Sequence, residues 1–182
     1  EQNNLFFDYL QREEPDWVTG VVYGAWTRIL ASEQRARTPD RYPIRRYPDI
    51  GHCVRAQYPV PGWDRALART LGREPFAPRP RGQARIHNLF AEYCDGFVTY
   101  SDGVGDDVNK VVWTALGWDP DRSVDDIMLD YARFFFRWDI AEQVRAGIYM
   151  LERNFEGSLA ENEGVEETFR LWKKLEDGAD ET

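Results

Sequence analysis

Three carboxylates follow one another closely in the stretch from Gly96 to Trp118 of this chain. Asp102, Asp106 and Asp107 stand between a short apolar run with alternating side chains and an amphipathic run with helical spacing. The pattern predicts a strand, a turn and a helix, with the acids at the carboxyl end of the strand. Catalytic and ligand-binding groups of α/β proteins lie at this end of their strands.

The positions of these acids predict different roles. Asp102 precedes a glycine, from where it could reach a substrate or instead bond its own backbone in a turn. Asp106 and Asp107 fall at the N-cap and in the first turn of the helix, where a carboxylate binds free N–H groups and complements the dipole. We expect one of these two to cap the helix, and both are candidates for substrate binding. Asn109 and Lys110 are expected to be solvated or packed.

A second acid/base candidate, Asp49 with His52, ends the apolar run of residues 42–52. An Asp-x-x-His pair could exchange protons with a substrate, supply half of a metal site or form a structural hydrogen bond. A metal would need further ligands, and the other histidine, His87, falls within a predicted helix, where we expect a surface role. The sequence therefore favours chemistry without a metal or another cofactor. Asp49 and Asp102 are the catalytic candidates, with His52 as an orienting partner.

Aromatic side chains cluster at the same predicted end of the strands. Trp26 follows the first strand, Tyr58 and Trp63 lie in a long loop, and Tyr100 lies on the third strand. Carbohydrate sites use rings that stack on the C–H faces of a sugar and carboxylates that bond its hydroxyls. Arg55 would bind an acidic or hydroxyl-rich group. Alternatively, such aromatics belong to the core, as we expect of the tryptophans at helical positions, Trp113, Trp118, Trp138 and Trp172.

Strand and helix patterns alternate through the first two thirds of the chain, which predicts a parallel sheet with right-handed crossovers. Three amphipathic helices follow Trp118, the first of them capped by Ser123. The predicted strands cover residues 16–24, 42–52 and the run beginning at 96. The predicted helices before Trp118 cover residues 3–13, 27–37, 63–71 and 81–93, and the helix that begins after Asp106.

The predicted fold is therefore α/β: a partial (β/α) barrel-like parallel sheet of about three strands in residues 1–118, followed by a helical region in residues 119–182. Three strands cannot close a barrel, because an eight-stranded parallel barrel needs about 250 residues. The chain is then either a small three-layer α/β domain or the end of a larger barrel followed by helices.

The composition of the chain limits the kinds of partner that it is expected to bind. The formal net charge is −9, and no basic stripe is present, so a nucleic-acid partner is not expected. No apolar run approaches the length of a membrane span. Cys53 and Cys94 have neither disulfide-framework nor zinc spacing and are expected to be core residues. The chain begins at Glu1 without a methionine, which indicates a processed or excised product and leaves the localisation open.

Four motifs stand out along the chain. They are Trp-x-x-Gly-Val-Val-Tyr-Gly-x-Trp at 17–26, Tyr-Pro-Ile-Arg-x-Tyr-Pro-Asp-Ile-x-His at 42–52, Gln-Tyr-Pro-Val-Pro-x-Trp-Asp at 57–64, and Gly-Phe-x-Thr-Tyr-Ser-Asp-Gly with Asp-Asp-Val-Asn-Lys at 96–110. Together they resemble the C-terminal part of large bacterial glycoside-hydrolase-like proteins, which are (β/α)8-barrel proteins of the hexosaminidase and α-glucuronidase type. The resemblance covers most of the chain.

The resemblance implies that residues 14–118 are the last strands of a barrel and that residues 119–177 are a helical appendage. The family pattern has glutamate where this chain has Asp102. The shorter side chain would retract the carboxylate by about one methylene, so Asp102 could bind a sugar hydroxyl instead of acting in catalysis. A lone fragment would expose a sheet edge and apolar helix faces, and would need the missing barrel half, a second copy or a rearrangement to be stable.

The leading hypothesis is a carbohydrate-active protein that hydrolyses glycosidic bonds of polysaccharides with a pair of carboxylates. A non-catalytic carbohydrate-binding or assembly module is the first alternative. The second is a metal-dependent hydrolase that uses Asp49, His52 and Asp102. A separation of about 5 to 9.5 Å between two carboxylates in the site would favour glycosidase chemistry.

Overall fold

The computed structural model describes residues 2–51, 60, 62, 64–65, 77–101 and 106–179. Within these residues the prediction of an α/β fold with a three-stranded parallel sheet and a helical C-terminal region is confirmed. The strands are β1 Val21–Gly24, β2 Ile44–Tyr47, β3 Asp49–Gly51, β4 Gly96–Phe97 and β5 Tyr100–Ser101. The α-helices are α1 Gln2–Glu13, α2 Ala31–Arg37, α3 Pro80–Ala91, α4 Asp107–Trp118, α5 Val124–Phe135, α6 Ala141–Arg153 and α7 Gly164–Asp177.

The sheet is interrupted where proline enters it. β1, β2 and β4 form the parallel sheet in that order, and β3 pairs with β5 as a separate two-stranded parallel sheet. Pro48 separates β2 from β3, because proline has no N–H to donate to the ladder. Its carbonyl oxygen still accepts a hydrogen bond from the Tyr100 N–H at 3.0 Å. The single strand expected over residues 42–52 is therefore two short strands.

The two faces of the three-stranded sheet differ in exposure. On β2, Ile44 and Arg46 are buried, whereas the alternate residues Arg45 and Tyr47 are exposed. Val22, the partner of Arg45 in the register with β1, is 62% exposed. Successive side chains of a strand point to opposite faces. One face therefore packs against helices, and the other, which carries Val22 and Tyr47, is open in the described structure.

The larger of two hydrophobic clusters lies among the helices and contains residues from both sides of residue 118. Its buried members come from α3, α4, α5 and α6. They are Ala84, Val108, Val112, Leu116, Ile127, Met128, Tyr131, Ala132, Ala141, Val144, Ile148 and Tyr149. The smaller cluster joins α1 to the start of the sheet through Phe7, Leu10, Val21 and Tyr42. One hydrophobic core therefore includes residues from both of the regions predicted from the sequence, 1–118 and 119–182.

Local sequence explains where several helices begin and end. Ser123 caps α5, as predicted, and its Oγ accepts a hydrogen bond from the Asp126 N–H at 3.4 Å. The first helix, α1, ends before Pro15, and Glu14 adopts a left-handed φ of 39° there. The helix expected over residues 27–37 begins only at Ala31. None of the helices among the described residues is long and apolar enough to cross a membrane.

The expectations about burial are wrong for Trp118, Trp138 and His87. Trp113 is buried as expected and Trp172 is half-buried against the larger cluster, but Trp118 and Trp138 are largely exposed. Trp118 is the last residue of α4, and Trp138 lies in a 3₁₀ turn, Trp138–Ile140. An aromatic near the end of a helix can leave the packed face even where helical spacing places it there.

His87 is buried and not a surface residue. Cys94 is a half-buried free thiol, and Cys53 lies outside the described residues.

Candidate functional site

A buried carboxylate and an exposed ring are paired on β3 and β5, just beyond the carboxyl ends of β2 and β4, at what we call the carboxyl edge. Asp49 opens β3, and its Cα partner on β5 is Tyr100. The side chain of Asp49 is 9% exposed, and Tyr100 is 40% exposed. The register shifts between Asp49 and Gly51, an irregularity of the kind that redirects side chains next to functional sites. The structure thus brings together two residues that the sequence assigned separately to catalysis and binding.

Two further aromatic residues lie near the same edge. Tyr47, the last residue of β2, is paired in register with Gly24, the last residue of β1, and is 40% exposed. Trp26 follows Gly24 by two residues and is 72% exposed. The turn between them is fixed by Thr27, whose Oγ1 accepts a hydrogen bond from the Gly24 N–H at 3.0 Å. Tyr47 was not among the predicted site residues, although its place at a strand end before Pro48 could have indicated it.

Behind this edge lies a buried polar network that joins β5 to α4. Asp106 accepts hydrogen bonds from the Ser101 hydroxyl and from the Asn109 side-chain amide. Asn109 also donates to the Ala77 carbonyl at 2.9 Å and accepts from the Arg79 N–H at 2.8 Å. Asn109 is therefore packed, one of the two expected outcomes, and it holds the segment that leads into α3 against the start of α4.

Asp106 is placed inside the protein, and this changes its chemistry. It occupies the N-cap position of α4, but its side chain makes no capping hydrogen bond. Burial raises the pKa of the Asp106 carboxyl, an effect opposed by its hydrogen bonds with Ser101 and Asn109 and by the charge of Lys110. A carboxyl group that is 1% exposed cannot contact a polysaccharide chain directly. It can hold Ser101, at the end of β5, through their hydrogen bond.

Asp107, the next residue, holds two helices together. The Tyr131 hydroxyl of α5 donates a hydrogen bond to Asp107 Oδ2. Burial, together with this bond and the nearby negative charge, raises the pKa of Tyr131. Asp107 itself is exposed. The two neighbouring acids thus point in different directions, one into the polar network and the other toward α5.

Five of the predicted site residues lie outside the described part of the chain: His52, Arg55, Tyr58, Trp63 and Asp102. The described residues contain no group of three His, Cys, Asp or Glu side chains placed to hold a metal ion. Two of the three residues in the metal hypothesis, His52 and Asp102, lie outside the described residues, so that hypothesis stays a prediction.

The chain was compared with protein-family models, with curated proteins and with solved structures, and no match was found in any of the three comparisons.

Proposed function

We propose that this chain binds carbohydrate at the carboxyl edge of its parallel sheet and hydrolyses glycosidic bonds there. The observation that supports this proposal is the pairing of buried Asp49 with Tyr100 on adjacent strands, at the edge that also presents Trp26 and Tyr47. Exposed aromatic rings provide flat apolar surfaces for the C–H faces of sugars, and a carboxylate beside them can accept hydrogen bonds from hydroxyls or transfer a proton.

Two carboxylates would divide the chemistry. We assign them to Asp49 and to Asp102, the residue that follows Ser101 in the chain. One protonates the oxygen of the leaving group, and the other attacks the anomeric carbon or activates a water molecule, depending on their separation. His52 would orient Asp49 through a hydrogen bond, and Arg55, Tyr58 and Trp63 would hold the substrate. Ser101 and Asp106 would act behind the site by fixing the end of β5.

The test is hydrolysis of chromogenic glycosides and uronides by the purified chain and by two variants. Asp49→Asn and Asp102→Asn are each expected to lower kcat at least about a hundredfold, because general acid or base catalysis contributes roughly that factor or more. Asp40→Asn is the matched control, since Asp40 is a fully exposed acid in the turn after α2. Turnover that is equal in the control and in both variants would contradict the assignment.

A second candidate function, binding without hydrolysis, has an observation in its favour. Two of the acids near the edge are engaged within the protein, Asp106 in the polar network and Asp107 with Tyr131.

Calorimetry with oligosaccharides separates the two functions. Binding without turnover, weakened in Trp26→Ala, would support the binding module. Trp138→Ala is the control, because Trp138 is 74% exposed, close to the 72% of Trp26. Neither turnover nor binding in the wild type would contradict both functions.

A further inference from the structure

Two helices end beside one pocket. The pocket has a volume of about 210 Å³ and is lined by residues of α3, α4, β4 and the segment before β4. Ala91, the last residue of α3, lines its mouth together with Gly117 of α4 and Pro120, and all three are exposed. Neither Asp49 nor Tyr100 lines the pocket, which is therefore distinct from the candidate carbohydrate site.

The interior of the pocket is largely aromatic. Phe90, Phe97 and Trp113 line it, together with the buried Leu116. The rings of Phe97 and Trp113 pack edge to face with a centroid distance of 5.2 Å. The Trp113 Nε1–H donates a hydrogen bond to Gln83 Oε1 at 2.7 Å. These rings are held in place and offer edge and face contacts to one more ring.

Arg46 belongs to the floor of the pocket and is engaged within the protein. Its guanidinium carbon lies 3.9 Å from the ring centroid of Phe90 and 5.0 Å from that of Trp113. Its Nη1 donates a hydrogen bond to the Ile86 carbonyl at 3.3 Å, and the residue is 3% exposed. A ligand carboxylate could pair with Arg46 only by displacing these contacts. The inner end of the pocket therefore suits an uncharged ring.

The mouth of the pocket, in contrast, is negatively charged. The C-terminal end of a helix carries partial negative charge, which lysine or arginine in the last turn can complement. The last turns of α3 and α4, helices that the structure describes throughout, contain no basic side chain. Each helix is instead followed by an exposed acid at its C-cap, Glu92 after α3 and Asp119 after α4. Two helix ends and two carboxylates thus favour a cation where the pocket opens.

Arginines near the mouth do not cancel this potential, because each has an acidic partner of its own. Arg35 Nη1 lies 3.5 Å from Asp95 Oδ2, an oxygen that also accepts a hydrogen bond from the Ile44 N–H at 2.8 Å. Arg122, three residues after the end of α4 at Asp119, pairs with Asp130 of α5. Glu92 and Asp119 remain as the acids that face the opening from the two helix ends.

The volume sets the size of the ligand. An apolar cavity of about 150 Å³ holds one benzene molecule, so a pocket of about 210 Å³ has room for one ring with a short substituent. We propose that this pocket binds a small aromatic amine in its protonated form. The ring lies among Phe90, Phe97 and Trp113, and the ammonium group lies at the mouth, where its three donors meet oxygens of the two helix ends. The proposal does not depend on the function assigned to the carboxyl edge.

Two ligands that differ in a single group test the charge preference. Benzylamine, which is protonated at neutral pH, and benzyl alcohol share a ring and one methylene group, but only benzylamine carries a charge. Ligand-observed NMR titration of the full chain at low salt should give a dissociation constant on the order of 1 mM for benzylamine. Benzyl alcohol should bind about tenfold more weakly. No binding of benzylamine, or binding of benzyl alcohol that is equally tight or tighter, would overturn the proposal.

Charge variants locate the ammonium group. Glu92→Gln with Asp119→Asn removes both acids but keeps an acceptor oxygen at each position, including the one that Asp119 Oδ1 offers to the Asp121 N–H at 3.1 Å. This double variant should weaken benzylamine binding about fivefold and leave benzyl alcohol binding unchanged. The control, Glu156→Gln with Glu161→Gln, removes the same charge at exposed positions after α6 and should bind both ligands like the wild type. Equal effects of the two double variants on benzylamine would overturn the proposal.

A variant at the mouth locates the ring. Ala91→Trp places an indole at the opening and should weaken the binding of both ligands at least about tenfold, whereas Ala91→Ser should bind them like the wild type. Ala91 is exposed, so neither substitution alters the buried floor, and circular dichroism checks that both variants are folded. Unchanged benzylamine binding in Ala91→Trp would place the ligand elsewhere and overturn the proposal.

Discussion

At the scale of single residues, His87 shows how packing changes a side chain's chemistry. Its ring contacts Phe97 and Trp113 edge to face, with centroid distances of 5.6 Å and 5.2 Å. Burial lowers the pKa of His87 below its ordinary value of 6.5, with the positive charge of Arg46 acting in the same direction and the hydrogen bond with Asn88 opposing it. The folded protein therefore holds this imidazole in its neutral form to lower pH than the unfolded chain does.

The lowered pKa predicts a loss of stability on acidification. Between the folded pKa and the unfolded pKa of His87, the unfolded state binds more protons, so the free energy of unfolding falls as the pH decreases below 6.5. The part of this loss due to one histidine cannot exceed about 1.4 kcal/mol per pH unit. Urea unfolding at pH 7.5, 6.5 and 5.5 should show the decrease, and His87→Gln should reduce it even though that variant is less stable overall. An equal pH dependence in wild type and His87→Gln would contradict this account.

The positions of several described site residues along the chain could be predicted at this scale, but their exposure could not. The places of Asp49 and Tyr100 near strand ends follow from local patterns of apolar and turn residues. Asp106 and Asp107 were correctly placed at the start of a helix, yet one is buried and the other exposed. Successive helical residues point in different directions, and which direction is covered depends on distant segments. The contacts of Asn109 with residues 77 and 79 are of this kind.

At the scale of elements, local signals were sufficient where the chain carries its own start or stop. The Ser123 cap, Pro15 after α1 and Pro48 within the second strand all act through the backbone of neighbouring residues. The helix α3 has a local start signal in Pro80 at its first position, but it has no local side-chain cap. Its N-cap residue, Arg79, makes no side-chain cap, and the missing acceptor comes from a residue 70 positions away, which no local pattern could have indicated.

That acceptor is Glu152 of α6, and it predicts a specific stability effect. Its two carboxylate oxygens accept hydrogen bonds from the Gly82 N–H at 2.8 Å and the Arg81 N–H at 3.3 Å. Glu152→Ala should lower the free energy of unfolding by about 1 to 2 kcal/mol, because two helix N–H groups lose their partner. Glu152→Gln should cost less, since it keeps an acceptor oxygen. Burial also raises the pKa of Glu152, because it removes water from around the ionised carboxylate.

The matched control for this cap is Glu156→Ala, one turn further along the chain at an exposed position. It removes the same charge without touching α3. Chemical denaturation of the three variants at neutral pH separates the cap from the general effect of charge. Equal stabilities of Glu152→Ala and Glu156→Ala would show that the hydrogen bonds to α3 contribute nothing measurable.

At the scale of the whole molecule, the alternation of strand and helix patterns was enough to predict the fold class, because parallel strands require crossover helices. It could not predict how the core is distributed. The larger hydrophobic cluster is built from helices on both sides of residue 118, and the three-stranded sheet remains open on one face. Parallel sheets are normally covered on both faces, whereas this face leaves apolar side chains such as Val22 exposed in the described structure.

The open face predicts self-association of the purified 182-residue chain. Val22 is 62% exposed on β1 and Val98 is 58% exposed beyond β4, and burying these side chains against a second copy would remove apolar surface from water.

Sedimentation velocity over a range of concentrations should show association in the wild type. It should be weaker in Val22→Thr with Val98→Thr, which keeps shape and strand propensity while adding a polar group. Leu89→Thr, at a residue of α3 that is also 62% exposed, is the control. If Leu89→Thr weakened association as much as the double variant, general surface hydrophobicity and not the open sheet face would be responsible.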